Sequence, residues 1–182
     1  MYENKRITTE STVFLGDSLT EGFDLDNFFP TIDLVNRGIS GDTTIQVRFR
    51  LDEIVNSRPL RVFLMIGIND LFHGYSPEEV TSNITEIMER LKETPGFFLQ
   101  SILPVNETNL LVGTDLNTVI HETNNQLRRY CKGDKYTFLD FHSAFLNDSG
   151  QMDSRYTYDG AHLTHEGYTL WAELLKPYVE NT

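Results

Sequence analysis

An internal disulfide framework is excluded at once, because the 182 residues contain one cysteine, Cys131. A lone thiol fits a reducing compartment. No apolar run approaches the roughly 20 residues that a membrane-spanning helix needs. The stretch from Met1 to Thr12 is polar and has no apolar segment of signal-peptide length. These absences predict a cytoplasmic protein with no membrane insertion. Basic residues are also scarce: 15 Lys and Arg stand against 27 Asp and Glu, for a formal net charge of -12. Nucleic-acid binding needs a basic face, and no run of Lys or Arg supplies one. The same acidity repels anionic lipid headgroups. Internal repeats, low-complexity segments and linker-like breaks in composition are missing too, so residues 1–182 read as one domain.

What is present is an alternation of short apolar runs with longer amphipathic stretches. Thr12 to Leu15, Ile32 to Val35, Arg61 to Ile66, Phe97 to Leu103 and Tyr136 to Phe141 read as five strands. Near-continuous apolar runs imply burial on both faces, the mark of parallel strands. Between them Ser76-Pro77-Glu78-Glu79 opens a helix, with an N-cap Ser, Pro at the first helical position and Glu three residues after the cap. Val80, Ile84, Ile87, Met88 and Leu91 then fall on one helical face. Helices are also expected over Ile45 to Val55, Leu116 to Cys131 and Tyr168 to Val179, the last ended or kinked near Pro177. Strand–helix alternation with right-handed crossovers predicts an α/β fold, a doubly wound, flavodoxin-like five-stranded parallel sheet with helices on both faces. Ligands of such sheets sit outside the carboxyl ends of the strands.

Chemistry-bearing residues recur at those strand ends. Gly16-Asp17-Ser18-Leu19 follows the first strand and presents a hydroxyl, although Ser18 reads equally well as a helix N-cap. Gly41, after the second strand, allows close backbone approach and equally fits a turn. Gly67-Ile68-Asn69-Asp70 follows the third strand and carries a side-chain amide donor, or else an Asx-turn. Asp159-Gly160-Ala161-His162 precedes the last helix. A His with a nearby Asp is what a serine nucleophile requires, yet it also suits a surface loop.

Taken in order, the four blocks resemble the GDSL, or SGNH, hydrolase family, and the resemblance covers almost the whole chain. The stretches Ser40 to Thr44 and His162 to Tyr168 are similar to its short branch, which includes thioesterase I-like enzymes, platelet-activating-factor acetylhydrolase catalytic subunits and bacterial carbohydrate O-acetylesterases. The resemblance implies roles. Ser18 would be the nucleophile, His162 the general base and then acid, and Asp159 the residue that orients His162. The backbone N–H groups of Ser18 and Gly41 and the amide of Asn69 would form the oxyanion hole. No metal or organic cofactor is implied. Asp17 and Asp70 are expected to brace loops through backbone N–H groups.

The expected activity is hydrolysis of a small O-acyl ester, acetyl above all, on a polar alcohol such as a sugar. A thioesterase or lysophospholipase on the same machinery, and a non-catalytic binding domain, are the alternatives. Three loops are expected to frame the pocket: Phe23 to Thr31, Pro104 to Asn117, and Ser154 to Tyr158. They bring Phe28, Phe29, Tyr156 and Tyr158 as aromatic candidates, and His73 as a candidate substrate contact. Little chain is spare for the large lid of a true lipase. The partner implied is a small-molecule ester, and homo-oligomerisation is not readable from the sequence.

Overall fold

The computed structural model describes residues 5–110, 115–133 and 135–180. Residues 111–114 of the expected Pro104 to Asn117 loop, and 1–4 of the polar N-terminus, lie outside the described residues. Five strands form one parallel sheet: β1 Thr12–Gly16, β2 Leu34–Gly38, β3 Arg61–Met65, β4 Gly96–Gln100 and β5 Thr137–Leu139. Their order is β2-β1-β3-β4-β5, and every neighbouring pair is parallel. The chain therefore winds outward from β1 in both directions. The gap between the loops that leave β1 and β3 is the topological switch point, where such sheets bind ligands.

The described helices are α1 Ser18–Glu21, α2 Leu25–Phe28, α3 Thr44–Phe49, α4 Asp52–Ser57, α5 Ile68–Phe72, α6 Pro77–Arg90, α7 Glu107–Leu110, α8 Leu116–Tyr130 and α9 His165–Val179. Alternation of side chains along the strands splits the core in two. Val13, Leu15, Val62 and Leu64 face a cluster that includes Val80, Ile84, Ile87 and Ile120 from α6 and α8. Phe14, Phe63 and Met65 face the opposite way, toward Trp171, Leu175 and Val179 of α9. In register, Phe14 stacks on Phe63 at 4.8 Å and Phe63 on Phe98 at 4.5 Å, an aromatic ladder across three strands. Trp171, fully buried, donates from Nε1 to Gln100 Oε1 at 2.7 Å, so the helix is keyed to β4 by a polar bond inside an apolar layer.

Several boundaries differ from expectation for identifiable reasons. β2 is displaced to include Asn36 and Arg37, polar residues that an edge strand tolerates. Asn36 Nδ2 donates to Thr20 O at 2.7 Å and to Phe23 O at 3.1 Å, so its amide is spent on stitching α1 to the strand. The expected helix from Ile45 to Val55 is two helices, interrupted at Arg50-Leu51, where the Arg50 side chain turns inward to the strand ends. α9 starts three residues before expectation, at His165, because Thr164 caps it by accepting from Gly167 N at 3.1 Å. It also runs through Pro177 to Val179. A proline in the last turn removes only one rung of the helical ladder. α6 has the capping box read from its sequence, with Ser76 and Glu79 each bonding the other's backbone N–H.

Candidate active site

The sequence alternative of Ser18 as a helix cap is settled by its neighbour. Asp17 is the cap of α1 and accepts from Leu19 N at 3.0 Å. The Ser18 hydroxyl is thereby free for another partner, and its Oγ lies 3.1 Å from His162 Nε2. The two residues are 144 positions apart in the chain.

His162 sits in a loop closed by an isolated bridge between Thr157 and Leu163. Thr157 Oγ1 donates to His162 O at 2.8 Å and accepts from Gly160 N at 2.9 Å. Asp159 lies inside this loop. Its Oδ1 accepts from the backbone N–H groups of Ala161 at 2.9 Å and His162 at 2.8 Å, and its Oδ2 lies 2.7 Å from His162 Nδ1. Partial burial would raise the Asp159 pKa, but the hydrogen bonds from Ala161 and His162 outweigh it and hold the carboxyl below its ordinary value. An ionised carboxylate only accepts, so Nδ1 carries the ring proton. In the neutral ring Nε2 is then an acceptor facing the Ser18 hydroxyl.

Asn69 enters from the first turn of α5, just after β3. Its Nδ2 donates to Asp42 O at 2.9 Å, which leaves the second N–H of that group for the cleft. Gly41 precedes Asp42 at φ +81, a conformation that glycine adopts without cost, and its N–H has no acceptor among the described residues. Gly38 answers a different need. A Cβ there would lie 2.1 Å from Glu21 N, so only glycine lets β2 approach α1 this closely.

Ser18, Asn69 and His162 line one cleft, with Asp159 behind His162 and Gly41 outside its walls. The remaining walls include Met65, Ile66, Ile68, Phe72, Ile102, Leu103 and Val105. Apart from Val105, which lies in the expected Pro104 to Asn117 loop, sequence reading missed these, because nothing local marks them until β3, α5 and the end of β4 converge. The one available signal was position, just past the carboxyl ends of β3 and β4. The cleft encloses about 40 Å3.

The expected aromatic frame is largely elsewhere. Phe29 is buried against Phe23, and Phe28 packs on Phe23 and on the His165 ring. Phe23 itself stacks on Trp171 at 4.6 Å, so the segment closes the α9 layer rather than the cleft. Tyr156 meets Phe145 edge-on. Tyr158 differs: it is 69% exposed, and its ring lies nearly parallel to that of His162 at 6.0 Å. Of the expected Pro104 to Asn117 loop, Pro104 and Val105 reach the cleft. His73 caps the end of α5 and is not among the cleft-lining residues.

Both bracing aspartates behave as expected. Asp70 accepts from Thr44 N at 2.9 Å and from Thr44 Oγ1 at 2.5 Å, which pins the start of α3 to α5. Burial raises its pKa, and the Thr44 hydrogen bonds oppose that. Asp17 is fully buried, and burial pushes its carboxyl up to about 7. The N–H of Leu19 and the nearby His162 pull it down, while Asp42 pushes it further up. Cys131 is buried, its thiol is raised to about 11, and it is correspondingly unreactive. Among the described residues no group of three His, Cys, Asp or Glu side chains is arranged to hold a metal ion, and no helix is long and apolar enough to cross a membrane.

The sequence model of the GDSL-like lipase/acylhydrolase family matches residues 14–170. The N-acylneuraminate cytidylyltransferase of Streptococcus agalactiae serotype III is 28% identical over 170 residues, 93% of this chain and 39% of that protein. The chain thus spans about two fifths of the length of these streptococcal relatives. The human platelet-activating factor acetylhydrolase IB subunit alpha1 is 29% identical over 168 residues, covering 86% of this chain and 70% of that one. A solved GDSL-like lipase from Bacteroides thetaiotaomicron superposes with a TM-score of 0.84 at 28% identity, covering 94% of this chain and 88% of that one. With the family match running from β1 into α9, this chain belongs to the GDSL-like lipase/acylhydrolase family.

Proposed function

We propose that the chain hydrolyses short O-acyl esters, acetyl above all, of a polar alcohol such as a carbohydrate, through a Ser18–His162–Asp159 triad. The observation that carries this reading is the continuous contact from Ser18 Oγ to His162 Nε2 at 3.1 Å and from His162 Nδ1 to Asp159 Oδ2 at 2.7 Å, opening on a small apolar cleft.

The steps follow from that arrangement. Ser18 Oγ attacks the ester carbonyl while Nε2 takes its proton. Asp159 holds the resulting imidazolium in place. The N–H groups of Ser18 and Gly41 and the amide of Asn69 receive the negative charge on the carbonyl oxygen. His162 returns the proton to the leaving alcohol, and an acyl-Ser18 ester remains. Water, deprotonated by His162, attacks that ester. Collapse of the second tetrahedral intermediate frees the acid and restores the Ser18 hydroxyl.

The narrowness and apolar lining of the cleft support a short acyl group. The name of the human relative, an acetylhydrolase, agrees with that acyl group. The alcohol side is open, and the exposed face of Tyr158 beside His162 offers a platform for a sugar ring. The streptococcal relatives are named for a reaction of N-acylneuraminate, a sugar acid, which fits an alcohol of this class.

The test is turnover of p-nitrophenyl esters from acetate to palmitate by the wild type and Ser18→Ala, followed by a panel of acetylated sugars. Acetate-selective hydrolysis that disappears in Ser18→Ala is expected. Preference for long chains would replace the short-acyl reading with a lysophospholipase or thioesterase, and undiminished turnover by Ser18→Ala would remove the triad.

A further inference from the structure

The three groups assigned to the oxyanion hole come from three separate loops, after β1, β2 and β3. Such a hole works only if its donors are held in place before charge develops. A single side chain ties two of these loops and reaches the third through Asp42. Arg50 Nη2 donates to Gly16 O at 2.9 Å, two residues before Ser18. Arg50 Nη1 donates to Arg37 O at 2.9 Å, at the end of β2. Arg50 Nε donates to Asp42 Oδ2 at 2.6 Å, one residue past Gly41. The backbone carbonyl of the same Asp42 accepts the Asn69 amide at 2.9 Å. One planar guanidinium thus ties the β1 and β2 ends directly, and the Asn69 loop through Asp42.

We propose that Arg50 is the positioning residue of the oxyanion hole: its fork sets the mutual geometry of the Ser18, Gly41 and Asn69 donors without touching substrate. Arg50 is not among the residues lining the cleft, and its side chain is largely buried. Its three acceptors lie in the directions that a planar fork serves and that one ammonium group does not. Asp42 is also buried, so the guanidinium balances a carboxylate that would otherwise stand uncompensated in the frame. The break between α3 and α4 places Arg50 where its side chain can turn inward.

This inference rests on the ester-hydrolase mechanism above, and its test separates the two. Arg50→Gln, Arg50→Lys and Asp42→Asn are assayed beside Ser18→Ala on p-nitrophenyl acetate, with folding followed by circular dichroism. A folded Arg50→Gln is expected to lose about 10²-fold in kcat, the scale of one lost oxyanion donor, with KM within about threefold. Affinity for a small alkylboronic acid, whose adduct with Ser18 is tetrahedral, should fall in step with kcat/KM. Lysine should recover only part of the loss, and guanidinium ion added to Arg50→Ala should restore part of kcat. Asp42→Asn keeps the shape of its site, so it reports on the frame even if Arg50→Gln fails to fold, and is expected to reduce kcat about tenfold. Folded variants with unchanged kcat and boronate affinity, while Ser18→Ala is inactive, would overturn the positioning role alone. Turnover that survives Ser18→Ala would overturn both, since the frame would then surround the wrong serine.

Discussion

Asp159 grips His162 at two points: Oδ2 meets ring Nδ1 at 2.7 Å, and Oδ1 accepts the backbone N–H of the same residue at 2.8 Å. One carboxylate thereby fixes both the ring and the loop that carries it. The spacing of three residues makes this a local turn, so the pair forms largely independently of the remainder of the site. The long-range contact is the one from His162 to Ser18.

Asp159→Asn separates the charge of this grip from its geometry. An amide can still accept from the Ala161 and His162 backbone with its oxygen, so the loop should persist. The imidazolium that forms during attack loses its counter-charge, and the ring loses its tautomer restraint. A loss of about 10²–10⁴-fold in kcat on p-nitrophenyl acetate is expected, with little change in melting temperature. Steady-state kinetics beside a thermal melt checks both halves.

Phe72 offers a handle on acyl length. It lines the cleft yet is 38% exposed, so trimming it removes a wall without opening a deep core cavity. Phe72→Ala should shift preference from acetate toward butyrate and hexanoate by about tenfold in relative kcat/KM, at a stability change of at most about 1 kcal/mol. Unaltered chain-length selectivity would show that the acyl group sits elsewhere.

The buried carboxyl of Asp17 makes stability depend on pH in an unusual sense. Its folded pKa of about 7 is raised by burial above the ordinary value near 4 that it has when unfolded. Between those values the folded chain binds the proton and the unfolded chain does not. Stability contributed at this site is therefore complete below about pH 4, declines as pH rises from 4 to 7, and is absent above 7. Asn at position 17 can keep the acceptor for Leu19 N and never ionises. Asp17→Asn should thus be near neutral at or below pH 4 and gain on the order of 1–3 kcal/mol over the wild type at pH 8. Urea midpoints at the two pH values decide it, and an equal difference at both would contradict the assignment.

Strand positions and strand-end residues were readable because each carries local information. Apolar runs announce buried parallel strands, and an ordered set of Ser18, Gly41, Asn69, Asp159 and His162 needs no structure to be noticed. Asp17 and Asp70 could be placed as braces for the same reason: short acidic side chains beside turns bond to nearby N–H groups. Which of the aromatic candidates meet the site was not readable, because an aromatic residue near a site in sequence carries no direction. Phe28 and Phe29 face the α9 layer, and Tyr158 alone of the four lies on His162.

From the sequence alone came the fold class, the order of the strands along the chain and the residue types at their carboxyl ends, since period, capping and chemical type are properties of neighbours. Tertiary structure decided which strands lie side by side, which carbonyls Arg50 holds and how much room the cleft leaves. Those depend on groups as distant as Gly16, Arg37, Asp42 and Ile102, whose meeting is set by packing of the whole sheet and its helices rather than by any local pattern.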